Sequence, residues 1–325
     1  MIDRRALLAI AAAAALTALT PAAALGQTWP GKSIRLVVPF PPGGGTDVLS
    51  RTLAEKLGPA LNTTLVVDNR PGAGGNVGLD LAAKAAADGN TLAMGQTSNL
   101  AINPTLYSSL PFSPLKDFAP IVLVASQPMV LVVAKDAPWK TLADIVAAGK
   151  GKGGLTMASA GNGTVGHLAG EMFARRAGIT VVHVPYKGAA PAITDVMGGQ
   201  VAIFFASAGG VMGQIEGGRV RAIAVTSAKR MARLPNVPTV AESGFPGFEA
   251  TDWKGLVAPV GTPAAIVNRV NAEVVRALGT PEVTTRLAAE GSEAIGGSPE
   301  QFAQYLRDEA TKWSAIVKDT GAKVD

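Results

Sequence analysis

Val37-Val38-Pro39-Phe40-Pro41-Pro42-Gly43-Gly44-Gly45-Thr46-Asp47 carries an apolar, β-branched stretch through a proline and glycine turn into what reads as the start of a helix. The same order recurs at Asn69-Arg70-Pro71-Gly72-Ala73-Gly74-Gly75-Asn76 and at Ala158-Ser159-Ala160-Gly161-Asn162-Gly163-Thr164. Glycine allows φ > 0 and lets a ligand touch the main chain, while the following helix presents unpaired N–H groups and a positive dipole end. A single such loop is equally well explained as a tight turn. Three, spread over two halves of the chain, predict a cleft that holds an anion.

Working outward, Ser33–Pro39 is expected as a buried strand and Thr46–Leu57 as a helix, capped by Thr46 or Asp47 and ended by Gly58-Pro59. Strand Thr64–Asp68, helix Val77–Ala87 and strand Thr91–Gly95 complete a βαβαβ unit, which calls for right-handed crossovers and a parallel sheet. The cadence returns after Trp139 with strands Leu155–Ala158, Thr180–Pro185, Val201–Ala206 and Arg221–Ser227, separated by helices Val165–Ala177, Ala189–Met197 and Val211–Glu216. The fold class expected is α/β, with two doubly wound lobes. Pro120 to Ala134 is interrupted by Ser126, Gln127 and Pro128 and reads as two buried strands at the joint. A strand over Gly255–Ala258 and helices over Pro263–Leu278, Pro281–Ala289 and Ser298–Lys318 bring the chain back to the first lobe. Residues 27–128 with 252–325 are therefore expected to form one lobe and 129–251 the other, joined by two crossings that make a hinge. Ligands of open α/β sheets bind at the carboxyl ends of the strands, where all three glycine loops fall.

The 325 residues are 48% hydrophobic and 16% charged, a globular composition long enough for two lobes. Arg4-Arg5, the uncharged run Ala6 to Leu19, Pro21 and the small residues Ala24-Leu25-Gly26 read as a secretory signal peptide over 1–26, cleaved before Gln27. An N-terminal membrane anchor is the competing reading, disfavoured because the apolar part is short and mostly alanine. Cysteine is absent, so neither disulfides nor a lipid-modified cysteine are available. The mature product is expected to be soluble in the periplasm. Its net charge of +5, lowered by one when Asp3, Arg4 and Arg5 leave with the signal peptide, suits small anions. The basic residues are scattered without interleaved aromatics, which argues against nucleic acid.

Catalytic chemistry has few residues to use. Gly161-Asn162-Gly163-Thr164-Val165-Gly166 matches the dinucleotide fingerprint, but the next strand ends in Pro185-Tyr186-Lys187 and not in an acidic residue. Only His167 and His183 exist, and Ser159 and Ser98 lack the G-x-S-x-G elbow of a hydrolase. A secreted serine hydrolase using Ser159 with His167 remains an alternative. No metal-ligand spacing occurs, and no cofactor is expected. Asp47 and Thr46 read as helix caps or as ligand contacts, His167 as a ligand contact or a structural hydrogen bond. Thr97, Ser98 and Asn99, and Ser207 in the second lobe, form polar edges at strand ends. Tyr186 sits where its hydroxyl can face the cleft, and Trp253 reads as hinge packing or a ligand wall.

Phe40-Pro41-Pro42-Gly43-Gly44-Gly45-Thr46-Asp47, Asn69-Arg70-Pro71-Gly72-Ala73-Gly74-Gly75, Val184-Pro185-Tyr186-Lys187-Gly188-Ala189-Ala190-Pro191 and Leu234 to Gly244 together resemble the Bug-type, TctC-like solute receptors of tripartite tricarboxylate transporters. The resemblance spans essentially all of the mature chain. It implies a type II periplasmic-binding-protein fold with Venus-flytrap closure. It also implies a non-enzymatic, monomeric receptor that passes a small mono- or dicarboxylate to membrane partners; a receptor that signals to a membrane protein is the alternative. By resemblance, the ligand carboxylate is held at Pro41, Gly43, Gly44, Gly45, Thr46 and Asp47 and at Ser159, Ala160, Gly161, Asn162, Gly163 and Thr164. His167, Tyr186 and the polar edge Thr97, Ser98 and Asn99 join that set more loosely, and Ser207 is expected at the cleft from its strand-end position. Relatives commonly carry an aspartate-containing segment where this chain has Phe204-Phe205-Ala206-Ser207, which implies a less polar wall in the second lobe.

Overall fold

The computed structural model describes residues 29–324; the signal peptide expected over 1–26 lies outside them. The first unit comprises β1 (Ser33–Val38), α1 (Gly45–Leu61), β2 (Thr64–Asn69), α2 (Asn76–Ala83) and β3 (Thr91–Gln96). β1 pairs in parallel with both β2 and β3. Its Ile34, Leu36, Val37 and Val38 are all buried, as in a strand covered on both faces. α1 continues past Gly58-Pro59, because a proline in the last turn removes one hydrogen bond while Leu57 and Leu61 remain buried; Asn62, at φ 53°, closes the end. After β3 the chain makes a π-helical turn, Ser98–Ile102, leading into α3 (Asn103–Leu106) and then the short α4 (Pro114–Asp117).

β4 (Phe118–Ala134) corrects the expectation of two strands: it is a single strand of 17 residues. Residues Phe118 to Pro128 pair antiparallel with β9 (Thr251–Pro259), and Met129 to Ala134 pair with β7 (Ile203–Ser207) and β8 (Val220–Val225). The polar Ser126-Gln127-Pro128 triplet marks the place where the strand changes partners without ending. Pro128 is tolerated there because the ladder is being handed from one sheet to the other.

The second lobe runs α5 (Leu142–Gly149), β5 (Leu155–Ser159), α6 (Val165–Ala177), β6 (Val181–Pro185), α7 (Ala189–Met197), β7, α8 (Ala208–Glu216) and β8. β5 lies parallel to β6 and β7. The chain returns through β9, α9 (Ala264–Leu278), α10 (Pro281–Ala289), β10 (Glu293–Gly296) and α11 (Pro299–Thr320). Each lobe is a parallel core with antiparallel strands added at the joint. Three apolar clusters fill it: one under α1 and α9, one under α7 and α8, and a third that runs between the lobes from Val37 and Leu100 to Leu131, Leu168, Phe205, Trp253 and Trp313.

Trp253 resolves as packing. It is fully buried, edge-on to Phe302 and Tyr305, and its indole N–H donates to Glu309 at 2.8 Å. No helix among the described residues is long and apolar enough to cross a membrane.

Candidate ligand cleft

Two adjoining cavities lie where the strand ends of both lobes meet. The first, of about 220 Å³, takes Phe40, Gly74, Gln96, Ser98, Asn103, Leu106, Tyr107 and Asp252 from one side. Met129, Ala160, Asn162, Gly163, Thr164, Val165, Gly166, Ala189, Phe204, Phe205 and Ser207 line it from the other. The second, of about 360 Å³, is walled by Phe40, Pro41, Pro42, Gly44, Gly45, Thr46, Gln96, Gln127, Asp252 and Lys254. Phe40, Gln96 and Asp252 border both, so the two form one continuous cleft.

Of the residues singled out from the sequence, Ser98, Ala160, Asn162, Gly163, Thr164 and Ser207 line the first cavity, and Pro41, Gly44, Gly45 and Thr46 the second. Thr46 neither caps α1 nor stands free: its hydroxyl donates to Gln96 Oε1 at 2.8 Å. Gly43, Asp47, Thr97, Ser159, Gly161, His167 and Tyr186 fall outside both linings, and their polar groups are engaged within the protein.

Asp47 is buried and accepts from Gly43 N–H at 2.9 Å, Asn69 Nδ2 at 2.9 Å and Arg51. Burial opposes its charge, but these donors outweigh burial and bring the carboxyl down to about 2. It therefore braces the loop from behind. The Thr97 hydroxyl accepts from Trp253 N–H at 2.8 Å and ties β3 to β9. Tyr186 donates to Asp195 Oδ2 at 2.5 Å, which together with partial burial pushes its hydroxyl up to about 12. Its hydroxyl turns back toward α7.

Ser159 is fully buried, and its hydroxyl meets His183 Nε2 at 2.6 Å, not His167. The same oxygen accepts from Gly161 N–H at 3.2 Å. The pairing of Ser159 with His167 on which the hydrolase alternative rested is not formed, and the Ser159 hydroxyl is enclosed by its own loop. His167 Nδ1 accepts from Gly163 N–H at 3.1 Å, and its ring stacks on His183. Its Nδ1 is thus engaged in a structural hydrogen bond.

Part of the third glycine loop's donor set is used within the loop itself. The amides of Gly161 and Gly163 are taken by Ser159 and His167, and Thr164 N–H bonds Gly161 O. The Thr164 hydroxyl in turn caps α6 by accepting from His167 N–H. Several helices start without a side-chain cap, among them α1 at Gly44, α7 at Gly188 and α8 at Ser207. Residues Gly45, Ala189 and Ser207 from those starts border the cleft. Three helix starts thus border the cleft, that of α1 at the first glycine loop and those of α7 and α8 beyond the glycine junctions.

Sequence reasoning missed Gln96, Asp252 and Lys254. Lys254 is 6% exposed, so a nearly buried cation lines the same cavity as Gly44 and Gly45. Its ammonium lies 3.4 Å from Asp252 Oδ2. Glu290, whose carboxyl burial pushes up against the pull of Lys254 and Arg286, stands near Gly45. Alternation in Asp252-Trp253-Lys254 carried the available signal: with Trp253 in the core, its neighbours must face the other way.

A family model for the tripartite tricarboxylate transporter family receptor matches residues 49–322. The chain belongs to that receptor family. The receptor is 38% identical to the protein BugT of Bordetella pertussis over 320 residues, covering 98% of both chains. Among solved structures, it resembles Rpa4515 of R. palustris with adipate at 35% identity and a TM-score of 0.81, covering 91% of this chain and 100% of that one. MatC of Rhodopseudomonas palustris with bound malate follows at 32% identity and a TM-score of 0.76, covering 89% and 100%. The two-lobed α/β architecture inferred from the glycine junctions is that of these relatives.

Proposed function

We propose that this receptor captures a small organic carboxylate in the cleft between its lobes, outside the cytoplasm, and presents it to the membrane components of a tripartite tricarboxylate-type transporter. The observation that carries the reading is the convergence of three uncapped helix starts, at Gly44, Gly188 and Ser207, on one cleft. Oriented peptide N–H groups hold an anion without reorganisation. The relatives solved with adipate and malate support a carboxylate as that anion. Phe204, Phe205 and Leu106 give the cleft an apolar flank for the carbon skeleton.

In this reading residues 27–128 with 252–325 move as one lobe and 129–251 as the other. The receptor acts as a monomer and performs no chemistry on its ligand, in keeping with the enclosure of Ser159. Closure adds the contacts of the second lobe, and the membrane partner selects the closed form. Calorimetry on protein stripped of co-purified ligand, over mono- and dicarboxylates of two to eight carbons, tests it. Saturable 1:1 binding to members of that series is expected; heat of dilution alone across the whole series would refute the reading.

A further inference from the structure

The first residues of β9 place two opposite charges side by side on the wall that joins the two cavities. Asp252 and Lys254 lie two apart on one face of the strand, with Trp253 buried on the other. Cross-strand, Asp252 stands opposite Gln127 and Lys254 opposite Ala125 and Gln96. The Lys254 ammonium at 3.4 Å and the Gln127 amide at 3.1 Å both address the same oxygen, Oδ2. Asp252 Oδ1 is left without a protein donor among the described residues, and Asp252 borders both cavities. Lys254, for its part, has three donor hydrogens, and Asp252 is its one hydrogen-bond acceptor among the described residues. Its side chain is 7% exposed, and it borders the cavity shared with Gly44, Gly45 and Thr46.

A half-satisfied cation beside a half-satisfied carboxylate has a specific chemical complement. It is a carboxylate whose neighbouring carbon bears a hydrogen-bond donor. We propose that Lys254 takes an oxygen of the ligand carboxylate seated at Gly44–Thr46 while Asp252 Oδ1 accepts from a 2-hydroxyl or 2-ammonium group of the same ligand. The receptor thereby prefers 2-hydroxy or 2-amino carboxylates to their unsubstituted counterparts. This inference rests on the carboxylate reading given above. An unsubstituted acid would dry the Asp252 oxygen without replacing its water, whereas a hydroxyl or ammonium replaces that water with a charge-assisted bond. Specificity from a site built to bond a particular donor exceeds what an apolar pocket gains from one methylene.

The test is calorimetry with matched unsubstituted, 2-hydroxy and 2-amino acids of three to six carbons, for example succinate, malate and aspartate. Wild-type protein is expected to bind the preferred substituted member of a pair at least tenfold tighter. Asp252→Ala should bring the two members within about threefold of one another, and Lys254→Met should weaken both together. Thermal melts report whether each variant is folded, and the wild-type comparison stands whatever the variants do. Equal affinity for both members of every pair in the wild type, or an unchanged ratio in folded Asp252→Ala, overturns the proposal and leaves carboxylate capture intact. Failure of every acid in the wild type overturns both.

Discussion

The imidazole rings of His167 and His183 stack with centroids 3.8 Å apart and planes 16° from parallel. Burial, and then the neighbouring His183, lowers His167 to about 4, and burial also lowers His183. The two stacked rings, His167 buried and His183 half-buried, are therefore held neutral. His167 Nδ1 must stay unprotonated to accept the Gly163 N–H, which fixes the edge of a cleft-lining loop.

The unfolded chain takes up these protons near the ordinary histidine value of about 6.5, whereas the folded chain refuses them until about 4. Stability is consequently full above pH 7 and declines as the pH falls from about 6.5 toward 4, by a sum on the order of 3 kcal/mol for His167. Glu171, pushed up by burial, acts with the opposite sign and blunts the fall. Thermal melts between pH 7.5 and 4.5 should show Tm decreasing. His167→Asn, whose amide oxygen can accept the same N–H, should flatten the profile, and Glu171→Gln should steepen it. Superimposable profiles for wild type and His167→Asn would contradict this account.

Gly163 controls how closely the lobes approach. A Cβ there would stand 2.1 Å from Leu106 Cδ2 of the opposite lobe, and its φ is +71°. Gly163→Ala should cost about 1 kcal/mol of stability through backbone strain. It should weaken ligand binding far more, by tenfold or greater, because the side chains across the cleft collide. Adding Leu106→Ala should recover most of the affinity but none of the backbone cost. Affinity unaffected by Gly163→Ala would show that the lobes do not meet at this point when ligand is bound.

Glu309 accepts from two indoles at once, Trp253 Nε1 and Trp313 Nε1, each at 2.8 Å. Glu309→Leu strips both buried donors of their acceptor and should lower the unfolding free energy by about 2–4 kcal/mol. Chemical denaturation measures it. Glu309→Gln keeps an acceptor oxygen and should lose less. Equal losses for the two variants would place the cost elsewhere.

Asp47 braces the first glycine loop through Gly43 and Asn69, so Asp47→Ala should loosen that loop and weaken carboxylate binding severalfold while costing about 1–3 kcal/mol of stability. Because its carboxyl sits near 2 and not near the usual 3.8, its stabilisation is present above about pH 4 and disappears as the pH drops toward 2. Comparing wild type and Asp47→Asn by denaturation at pH 7 and pH 3 reads this out. A difference that grows on acidification would have the wrong sign.

The glycine junctions made the first unit, the alternation of the second lobe and the return of the chain legible, because each reports a local backbone requirement. Helices Val165–Ala177, Ala189–Met197 and Pro281–Ala289 begin and end where the sequence placed them. α5 was overlooked although Thr141 and Asp144 form a capping box, and β10 because its four residues acquire strand character only by pairing with β4. The limits of sequence reading show most at the site. Donor-rich loops were recognisable, but whether an amide is free depends on side chains that fold back onto it, as Ser159 and His167 do. Conversely, Asp252 and Lys254 look like surface residues until β9 is seen to lie between β3 and β4.

The uninterrupted passage of β4 from one sheet into the other sets the mechanical character of the receptor. A flytrap hung on loose linkers swings widely and is readily nicked by proteases between its halves. Here the main joint is a hydrogen-bonded ribbon, so opening must be accommodated by added twist spread over several peptide units near Ser126–Pro128. Such a joint behaves as a torsion spring, favouring a small, reproducible excursion.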